Sequence, residues 1–592
     1  SLIEGAIKPQ WALLGATFIA ICSFLPLYLA PASVAEIVKP LFVVLAVSLG
    51  LSWILALCQT TTFGNFILKE AVPGGAMKDP YDTKLYHKFE KFLTLLIKRR
   101  FVTLTTVFVT LVLSLVIMAV MPQSFFPKMN KPYFRADLVF PEGFSIHAVD
   151  QDVMKVEDYL KNHEKVKSYS VTLGGTPLRY YLASSSFGPK SNYANVMVET
   201  KDPEDAAEVE QQFYEHMTQN FPNIITRSAL FALSPVPEAA IEIGFIGENP
   251  DTLTALVERA KKIARQCDMV TDIRSNWGDK VPVWKPMFSQ QKGLRLGITR
   301  QQVANSFRTA TNGLPLGEYR EGDVSLPILL KDEDVEKMNL NDVKSVPVFS
   351  TKGNSVKVEQ VIDNFALGYD YNVVRRFNRE RCMMMQCEPK RGANTMAAFK
   401  QVLTAVQEQM QLPEGYKMKY FGEQETQDVS NAALAKNIPL TFLLIYVVLL
   451  FLFPSNYRKP VLIMLMLPLV FIGVVWGLLL FGKSLDFFAI LGLLGLIGMN
   501  IKNAIVLVDE IGLQLKDGKG AVPAVVEATK TRIVPVTMAS GTTILGMLPL
   551  LGDAMFAGMA ATIMGGLFVS TVLTIFVLPV TYCIFFKIRA DR

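Results

Sequence analysis

The sequence predicts a polytopic α-helical membrane protein that also carries a large α+β region outside the membrane. Of its 592 residues, 51% are hydrophobic, and the mean hydropathy is +0.30. The apolar residues are concentrated in runs long enough to cross a hydrocarbon core of about 30 Å. An internal repeat further indicates that the eight predicted transmembrane helices are half of a pseudo-repeat bundle.

Eight apolar runs predict eight transmembrane helices. They lie near 11–31, 38–63, 101–121, 437–454, 459–481, 486–508, 534–551 and 560–586. Basic residues flank these runs at 98–100, 458–459, 516–519 and 587–589, all on one side of the membrane if each run crosses once. Because short basic loops stay in the cytoplasm, this side is predicted to be cytoplasmic, with an amphipathic surface helix over 86–96. The long polar insert, 123–435, is then predicted to lie outside.

The polar insert predicts compact α+β modules. Alternating stretches indicate strands at Tyr133–Phe140, Ala194–Glu199, Ala239–Ile246 and Cys382–Cys387. Asp202, Asn249 and Thr299 are each placed to cap a following helix. The order strand–helix–strand recurs, so we expect one module from 133 to 233 and a second that begins at 239 and resumes at 382. The intervening stretch, 281–380, is interpreted as an inserted domain.

Composition and motifs exclude several classes of function. The six cysteines and four histidines show neither a CxxC pair nor a metal-ligand spacing, and no nucleophile–base–metal set indicates an enzyme. The basic residues do not form the stripe that is typical of nucleic-acid binding. Gly477–Ser484 matches the phosphate-loop pattern, but its variable positions are apolar and lie in a predicted transmembrane helix, where the backbone N–H groups are already bonded. We therefore predict neither a bound nucleotide nor a bound metal.

Two distant stretches indicate an internal repeat. Glu4–Leu27 and Glu527–Leu550 share the spacing from a glutamate to an LPL motif, and a short polar link and a second apolar run follow each of them. Two copies of one helical unit are typical of transporters. The first-copy counterpart of the helix that carries Lys502 would lie before Ser1. We therefore expect the chain to begin inside a longer protein, two helices before the end of its first half.

Lys502, flanked by Asn500 and Asn503, lies inside the sixth apolar run. An ionised lysine in the bilayer core costs at least about 2.5–3.5 kcal/mol without a partner. None of the eight runs carries an acidic residue in its interior, and Asp509 lies about 10.5 Å further along the helix axis. We expect the partner to be a carboxylate in the missing half. Protonation of that carboxylate would weaken the ion pair, which predicts coupling to a proton gradient. The alternative is a lysine that snorkels or stays neutral in a structural role.

Three stretches together resemble the resistance–nodulation–division superfamily, and within it the hydrophobe/amphiphile efflux (HAE1-like multidrug) pumps. They are IKNAIVLVDE at 501–510, PVTMASGTTILGMLPL at 535–550 and LGITRQQVANSF at 296–307. The resemblance covers the whole chain as the C-terminal three-fifths of such a pump. It implies ferredoxin-like periplasmic porter modules with an inserted docking domain. The implied segments are two transmembrane helices (1–64), a cytoplasmic linker (65–100), a transmembrane helix (101–122), porter module 1 (123–237), porter module 2 (238–280 and 381–436), the docking domain (281–380) and five C-terminal transmembrane helices (437–592).

The same resemblance implies a function and partners. It indicates a secondary active transporter rather than an enzyme, with the proton as coupling ion and no other cofactor. Such a pump exports amphiphilic and hydrophobic compounds as the inner-membrane component of a tripartite assembly in the Gram-negative envelope. The implied partners are two further copies in a homotrimer, a periplasmic adaptor protein, an outer-membrane channel and the lipid bilayer.

Site residues follow from the resemblance position by position. Lys502 matches the relay lysine of the family, which pairs with two aspartates on a first-half helix. The relay set is completed by Asn500, Asn503, Arg532 and either Ser540 or Thr542, because Ala539 stands where the family often has a hydroxyl. The predicted substrate contacts are Pro177, Tyr180, Tyr181, Phe187, Leu230, Phe231, Leu233, Arg274, Asn276 and Trp277. The alternative for these ten is packing within the module cores and loops.

Two other functions stay open at this point. The stretch RCMMMQC, 381–387, is rich in the soft donors that suit Cu(I), which would fit a heavy-metal exporter of the same superfamily. A packed core strand explains the same pattern, because alternate side chains of a strand face opposite ways. A lipid-handling or assembly membrane protein with a decayed relay is the other alternative, and the presence of Lys502 argues against it.

Overall fold

The structure, a computed structural model, describes residues 10–30, 33–67, 81, 83–123, 130–179, 189–231, 238–332, 342–350, 353–454 and 456–588. The chain divides into two compact units. The larger unit comprises Ser1–Arg274 and Phe377–Arg592, and the smaller unit is Ser275–Arg376. The names and limits of the predicted domains stay predictions.

The elements follow one another in this order. The first helices are α1 (Gln10–Ser23), α2 (Leu25–Leu29), α3 (Ser33–Ile67), α4 (Lys84–Lys98) and α5 (Arg100–Val120). Next come β1 (Tyr133–Val139), α6 (Ile146–Lys161), β2 (Val166–Leu173), β3 (Tyr193–Thr200), α7 (Asp205–Asn220), β4 (Ile225–Leu230), β5 (Ile241–Ile246), α8 (Pro250–Ala264), β6 (Val270–Ser275), β7 (Lys280–Phe288), α9 (Gln290–Leu296), α10 (Arg300–Thr309), β8 (Leu314–Glu321), β9 (Val324–Leu330), β10 (Pro347–Phe349), β11 (Ser355–Lys357), β12 (Ile362–Tyr371) and β13 (Arg376–Phe377). The last are β14 (Glu380–Pro389), α11 (Thr395–Gln409), β15 (Lys417–Phe421), α12 (Gly422–Leu452), α13 (Arg458–Leu465), α14 (Val470–Leu480), α15 (Phe487–Lys516), α16 (Ala521–Met547) and α17 (Ala557–Phe585), with 3₁₀ turns at Asp342–Ser345, Val358–Gln360 and Leu548–Gly552.

Eight helical segments of the described chain are long and apolar enough to cross a membrane, and their number agrees with the prediction. They are Gln10–Leu29, Lys39–Gly64, Arg100–Val120, Gly422–Leu452, Arg458–Leu480, Phe487–Lys516, Ala521–Gly552 and Ala557–Phe585. Three predicted bounds were wrong, because α12 begins at 422 rather than 437, α15 continues to 516 rather than 508, and α16 begins at 521 rather than 534. Hydropathy marks only the part of a helix that suits lipid, whereas the backbone hydrogen bonds continue into polar sequence.

Close helix contacts in the membrane-length bundle depend on glycine. A Cβ atom added at Gly473 would lie 2.6 Å from the carbonyl oxygen of Gly565, and one added at Gly477 would lie 2.6 Å from that of Ala561. Helices α14 and α17 therefore approach each other backbone to backbone, as small residues permit in lipid. On α15, a Cβ at Gly498 would lie 2.8 Å from Cα of Ala20 in α1.

The larger unit contains two sheets of the same topology. In the first, the order β1–α6–β2–β3–α7–β4 gives four antiparallel strands arranged β2-β3-β1-β4, with α6 and α7 packed on a core that includes Phe134, Val196 and Phe213. In the second, β14 and β15 both pair with β5, and β6 pairs with β14. This is the split βαβ arrangement of ferredoxin-like modules. The four predicted strands are confirmed, within one or two residues at most ends.

Two of the three predicted helix caps are confirmed. Asn249 accepts hydrogen bonds from the backbone N–H groups of Asp251 and Thr252, and Thr299 forms a capping box with Gln302. The prediction for Asp202 was wrong, because α7 begins at Asp205 and its N-cap, Glu204, makes no side-chain cap. The backbone turns first, through hydrogen bonds from Asp205 N to Asp202 O and from Ala206 N to Pro203 O.

The smaller unit has its own core and a protruding hairpin. The core is formed by Ile298, Val303, Ala310, Val346, Val348, Val358, Val361 and Ile362. Strands β8 and β9 form an antiparallel hairpin whose two-residue loop begins with Gly322 at φ +59, as a tight hairpin turn requires. From Leu316 to Leu330 every residue of the two strands is exposed, including the apolar Leu326 and Ile328.

Candidate functional site

Lys502 lies at the edge of the packed face of α15. Its neighbours Ile501 and Asn503 are buried, whereas Lys502 is exposed on the described part of the molecule. No described carboxylate forms an ion pair with its ammonium group. Asp509, also exposed, is on the same helix, seven residues further on. The charge of Lys502 is therefore not neutralised by an ion pair among the described residues.

Next to Lys502, amide and hydroxyl groups from three helices meet in the bundle; we call this set the polar cluster. It consists of Asn500 and Asn503 on α15, Ser540 on α16, and Ser570 and Thr571 on α17. The Ser570 hydroxyl donates to Asn500 Oδ1 at 2.6 Å, and the Ser540 and Thr571 oxygens are 2.6 Å apart. Asn503 Nδ2 donates to Ser540 Oγ at 3.5 Å, and all five side chains are less than 10% exposed.

The structure brings together only part of the predicted relay set. Asn500, Asn503 and Ser540 belong to the polar cluster. The Thr542 hydroxyl is exposed and bonds the carbonyls of Met538 and Ala539 in its own helix. Ser540 and Thr542 were both predicted as hydroxyls of the relay set, and of these two only Ser540 is directed into the bundle.

Arg532 lies apart from Lys502, in an ion pair with Glu510. Its Nε donates to Glu510 Oε2 at 3.1 Å and its Nη2 bonds the same oxygen, while Gln514 Nε2 donates to Oε1 at 2.8 Å. Glu510 is only 8% exposed. Glu510 lies eight positions after Lys502, about 12 Å along a helix, so this pair joins α15 to α16 and does not neutralise the lysine.

Sequence reasoning missed Ser570, Thr571 and the role of Glu510. The only signal for the first two was a pair of hydroxyl residues in an otherwise apolar run, and Ser and Thr often bond only their own helix backbone there. Thr562, Thr574 and Thr581 on the same helix are also buried without belonging to the cluster. Only the packing of three helices distinguishes them.

The predicted substrate contacts are distributed over several places. Pro177 is half-buried in the loop after β2, Leu230 ends β4 opposite Phe134, and the Phe231 ring is edge-on to Tyr133 at 6.3 Å. Asn276 is half-buried, and Trp277 is 3% exposed with its ring edge-on to Tyr371 at 5.2 Å. Tyr180, Tyr181, Phe187 and Leu233 lie outside the described residues.

Arg274 is buried in the larger unit, where it contacts backbone carbonyls and two carboxylates. It is 7% exposed, donates to the carbonyl of Glu238 at 2.9 Å, pairs with Glu388 at 3.3 Å and bonds Asp272. Asp272 also lies 3.8 Å from Arg227 on β4 of the first module. The Nε atoms of Arg227 and Arg274 are buried without a hydrogen-bond partner among the described groups.

A second ion pair joins the same two modules. Both terminal nitrogens of Arg391, in the second module, bond Glu210 on α7 of the first, with Nη2 to Oε1 at 2.6 Å. Arg391 also donates to Ser228 Oγ at 3.0 Å and lies 4.4 Å from the Tyr214 ring centroid. We call the ionic groups at this contact the module junction: Glu210, Arg227, Asp272, Arg274, Glu388 and Arg391.

Burial shifts the acidity of carboxyl groups in and near the module junction. It raises the pKa of Glu388 and of Asp272, and the nearby Arg274 offsets part of each rise. Burial also raises the pKa of Glu242 to about 7, although Gln386 Nε2 donates to its Oε1 at 2.8 Å. Glu242 is therefore a group that can change charge near neutral pH.

The soft-donor stretch 381–387 forms a buried strand. In β14, Cys382, Met383, Met385 and Cys387 are 1% exposed or less. Burial raises the pKa of the Cys382 thiol to about 11 and that of Cys387 to about 12, which disfavours the thiolate that a metal would need. The described residues hold no cluster of three or more His, Cys, Asp and Glu side chains arranged for a metal.

The family model described as the AcrB/AcrD/AcrF family matches residues 2–586. The multidrug export protein AcrF of Escherichia coli (strain K12) is 23% identical over 97% of this chain and 57% of its own length. The nickel and cobalt resistance protein CnrA of Cupriavidus metallidurans is 27% identical over 59% of this chain and 33% of its own length. The swarming motility protein SwrC of Bacillus subtilis (strain 168) is 22% identical over 100% of this chain and 56% of its own.

The fold agrees with these relatives. A crystal structure of a heavy metal efflux pump superposes on 99% of this chain and 59% of that chain, with a TM-score of 0.78 at 16% identity. The chain thus spans a little over half the length of the relatives that it matches throughout. From the family match over nearly all of its residues, we conclude that this chain belongs to the AcrB/AcrD/AcrF family of resistance–nodulation–division efflux transporters.

Proposed function

We propose that the protein is a proton-driven antiporter that exports amphiphilic and hydrophobic compounds. The observation that carries the proposal is an ammonium group at mid-helix, Lys502, next to a polar cluster and without an ion pair among the described residues. A lysine in lipid needs a carboxylate partner, and a carboxylate that gains a proton loses its hold on the lysine. Lys502 can then reorient toward a different set of neighbours.

The polar cluster supplies those neighbours. Its amide and hydroxyl oxygens can accept hydrogen bonds from an ammonium group, and it joins α15, α16 and α17. A change at Lys502 would therefore shift the relative positions of three helices, which is how a local charge change moves a two-state element. The membrane potential adds about 2.3 kcal/mol per charge per 100 mV, enough to bias such a cycle.

The proposal places the protein in the inner membrane, with the α+β modules in the periplasm. The basic residues between and after the membrane-length helices support this orientation. We further propose a homotrimer that delivers substrate to a periplasmic adaptor and an outer-membrane channel. The exposed apolar hairpin of β8 and β9 supports an oligomer, because surfaces of this kind are typically covered by a partner.

Export of a heavy metal is the rival function, favoured by the similarity to the nickel and cobalt resistance protein CnrA and to the heavy metal efflux pump. The burial of Cys382 and Cys387, which raises the pKa of both thiols, argues against a soft-metal site in β14. The substrate class therefore depends on experiment, and the amphiphile proposal rests on the resemblance at 501–510 and 535–550.

The test is transport by everted membrane vesicles that contain the full-length protein. We expect Lys502→Ala to abolish pH-gradient-driven uptake of a fluorescent amphiphile. The variant has no ammonium group for the carboxylate to bind when ionised and to release when protonated. Lys516→Ala, at the exposed end of the same helix, is the matched control and should transport normally. Crosslinking should show the same assembly in both variants.

Two outcomes would contradict the proposal. Normal dye transport by Lys502→Ala would exclude the lysine switch. Uptake of Ni²⁺ or Cu(I), but of no amphiphile, by the unmodified protein would favour the metal exporter.

A further inference from the structure

Helix α4, Lys84–Lys98, has one face buried against the bundle. Phe89, Leu93 and Ile97, each four residues apart, are less than 10% exposed and belong to the main core of the bundle. The Phe89 ring also lies 5.6 Å from the ring of Phe576 on α17, and Phe92, at the border of the buried face, has its ring 5.5 Å from that of Phe576 while it is 50% exposed. This face therefore fixes α4 along the side of the membrane-length helices.

The remaining surface of α4 divides into two exposed sectors. At about 100° per residue, Leu85 and Phe92 fall on one flank, and they are 71% and 50% exposed. The outer sector carries Leu95, which is 47% exposed, and four exposed lysines, Lys84, Lys88, Lys91 and Lys98. An apolar flank beside a basic sector is typical of a helix that lies in a membrane interface.

The lysines of the outer sector have no anionic partner among the described residues. The one acidic residue of α4, Glu90, is directed toward the bundle and pairs with Lys530 of α16 at 2.9 Å. Lys530 is 7% exposed, so this contact is an internal one. Together with the buried face, it prevents α4 from rotating its lysines inward.

The position of α4 in the chain places this basic sector at a membrane boundary. Helix α5, which is long and apolar enough to span a membrane, begins at Arg100, two residues after α4 ends. Arg99 is exposed at the joint and adds to the same positive charge. The lysines thus lie within reach of phospholipid headgroups whenever α5 crosses the bilayer.

We propose that the outer sector of α4 binds the headgroups of anionic phospholipids. The uncompensated positive charge selects a negative surface, and the exposed Leu85 and Phe92 select acyl chains beside it. An acidic soluble protein would match the lysines but not the apolar flank. This inference is independent of the transported substrate and of the role of Lys502.

The test measures lipid preference at α4 directly. The full-length protein with Leu85→Trp is reconstituted into phosphatidylcholine vesicles that contain either brominated phosphatidylglycerol or brominated phosphatidylcholine. Quenching of the added tryptophan is obtained by subtracting the signal of the unmodified protein. We expect an association preference of about tenfold for phosphatidylglycerol, since each lysine near an anionic surface contributes favourably, and a decrease of that preference at high salt.

Charge variants in the Leu85→Trp background assign the effect. Replacement of Lys84, Lys88, Lys91 and Lys98 by Gln should reduce the preference to about twofold or less, whereas replacement by Arg should preserve it. The matched control replaces four exposed lysines of the α+β modules, Lys161, Lys201, Lys400 and Lys417, by Gln and should leave the preference unchanged.

Two results would overturn the proposal. One is equal quenching by the two brominated lipids in the Leu85→Trp protein, which would leave an acidic protein as the occupant of the lysines. The other is full preference in the four-Gln variant. The Lys502→Ala variant should keep the lipid preference, so failure of the transport mechanism and failure of this inference give different results.

Discussion

The polar cluster and the module junction both bury polar side chains, but the first buries neutral groups and the second buries paired charges. The polar cluster buries two amides and three hydroxyls and contains no ion, while Lys502, beside it on α15, is exposed on the surface of the described residues. The module junction, by contrast, buries the guanidinium of Arg274 against two carboxylates and joins Arg391 to the buried Glu210. One site is neutral and the other is ionic.

The difference shows what each environment permits. A bilayer offers no water to an unpaired charge, so a membrane bundle can bury neutral polar groups but keeps ions only where a partner is supplied. A domain in water can bury several charges if they are paired and hydrogen-bonded, although the net gain in stability is small. We therefore expect loss of one partner to be costly at the module junction and mild at the polar cluster.

The largest stability effect is expected at the module junction. Arg391→Ala leaves Glu210 buried without its partner, which should lower the free energy of unfolding by about 2–3 kcal/mol. Thermal unfolding of the detergent-solubilised full-length protein measures this, with Lys400→Ala, at an exposed position of α11, as the control. A loss no larger than that of the control would show that the two modules do not depend on this ion pair.

A pH-dependent effect of intermediate size is expected at Glu242. Burial raises its pKa from 4.5 to about 7, so the folded protein holds a proton that the unfolded chain has released. The contribution of this group to stability is therefore fully present below about pH 4.5 and is lost as the pH rises to about 7.

Glu242→Gln tests the sign of this dependence. Its Oε1 can still accept from Gln386 and from the Ala239 backbone, as in the unmodified protein. The variant should be the more stable one at pH 8 and should lose less stability than the unmodified protein between pH 5 and 8. A variant with the same pH slope as the unmodified protein would exclude Glu242 as the titrating group.

The smallest effect is expected in the polar cluster. Ser570→Ala removes the donor to Asn500 and should destabilise the protein by about 1 kcal/mol, because neutral hydrogen bonds between membrane helices are individually weak. Thr542→Ala removes a hydroxyl that bonds only its own helix and should have almost no effect. Equal losses of stability in Ser570→Ala and Thr542→Ala would show that a hydroxyl in the polar cluster contributes no more than an exposed one, which would contradict this prediction.

Much of the fold could be predicted from the sequence. Eight apolar runs gave the number of membrane-length helices, because length and hydropathy alone decide whether a helix suits lipid. The strands at 133–139 and 380–389 and the caps at Asn249 and Thr299 follow from local patterns that do not need the rest of the chain. The apolar pattern could not place the start of α12 or α16, because both helices continue through polar sequence.

The sequence by itself determined that the charge of Lys502 is energetically costly, because the cost of a charge in lipid depends on where it falls in an apolar run. Only the tertiary structure decided that Asn503 meets Ser540 rather than Thr542, and that Arg532 pairs with Glu510. Those contacts join residues on different helices. Which side chains meet there depends on the rotation and packing of each helix, which the period of a single helix does not fix.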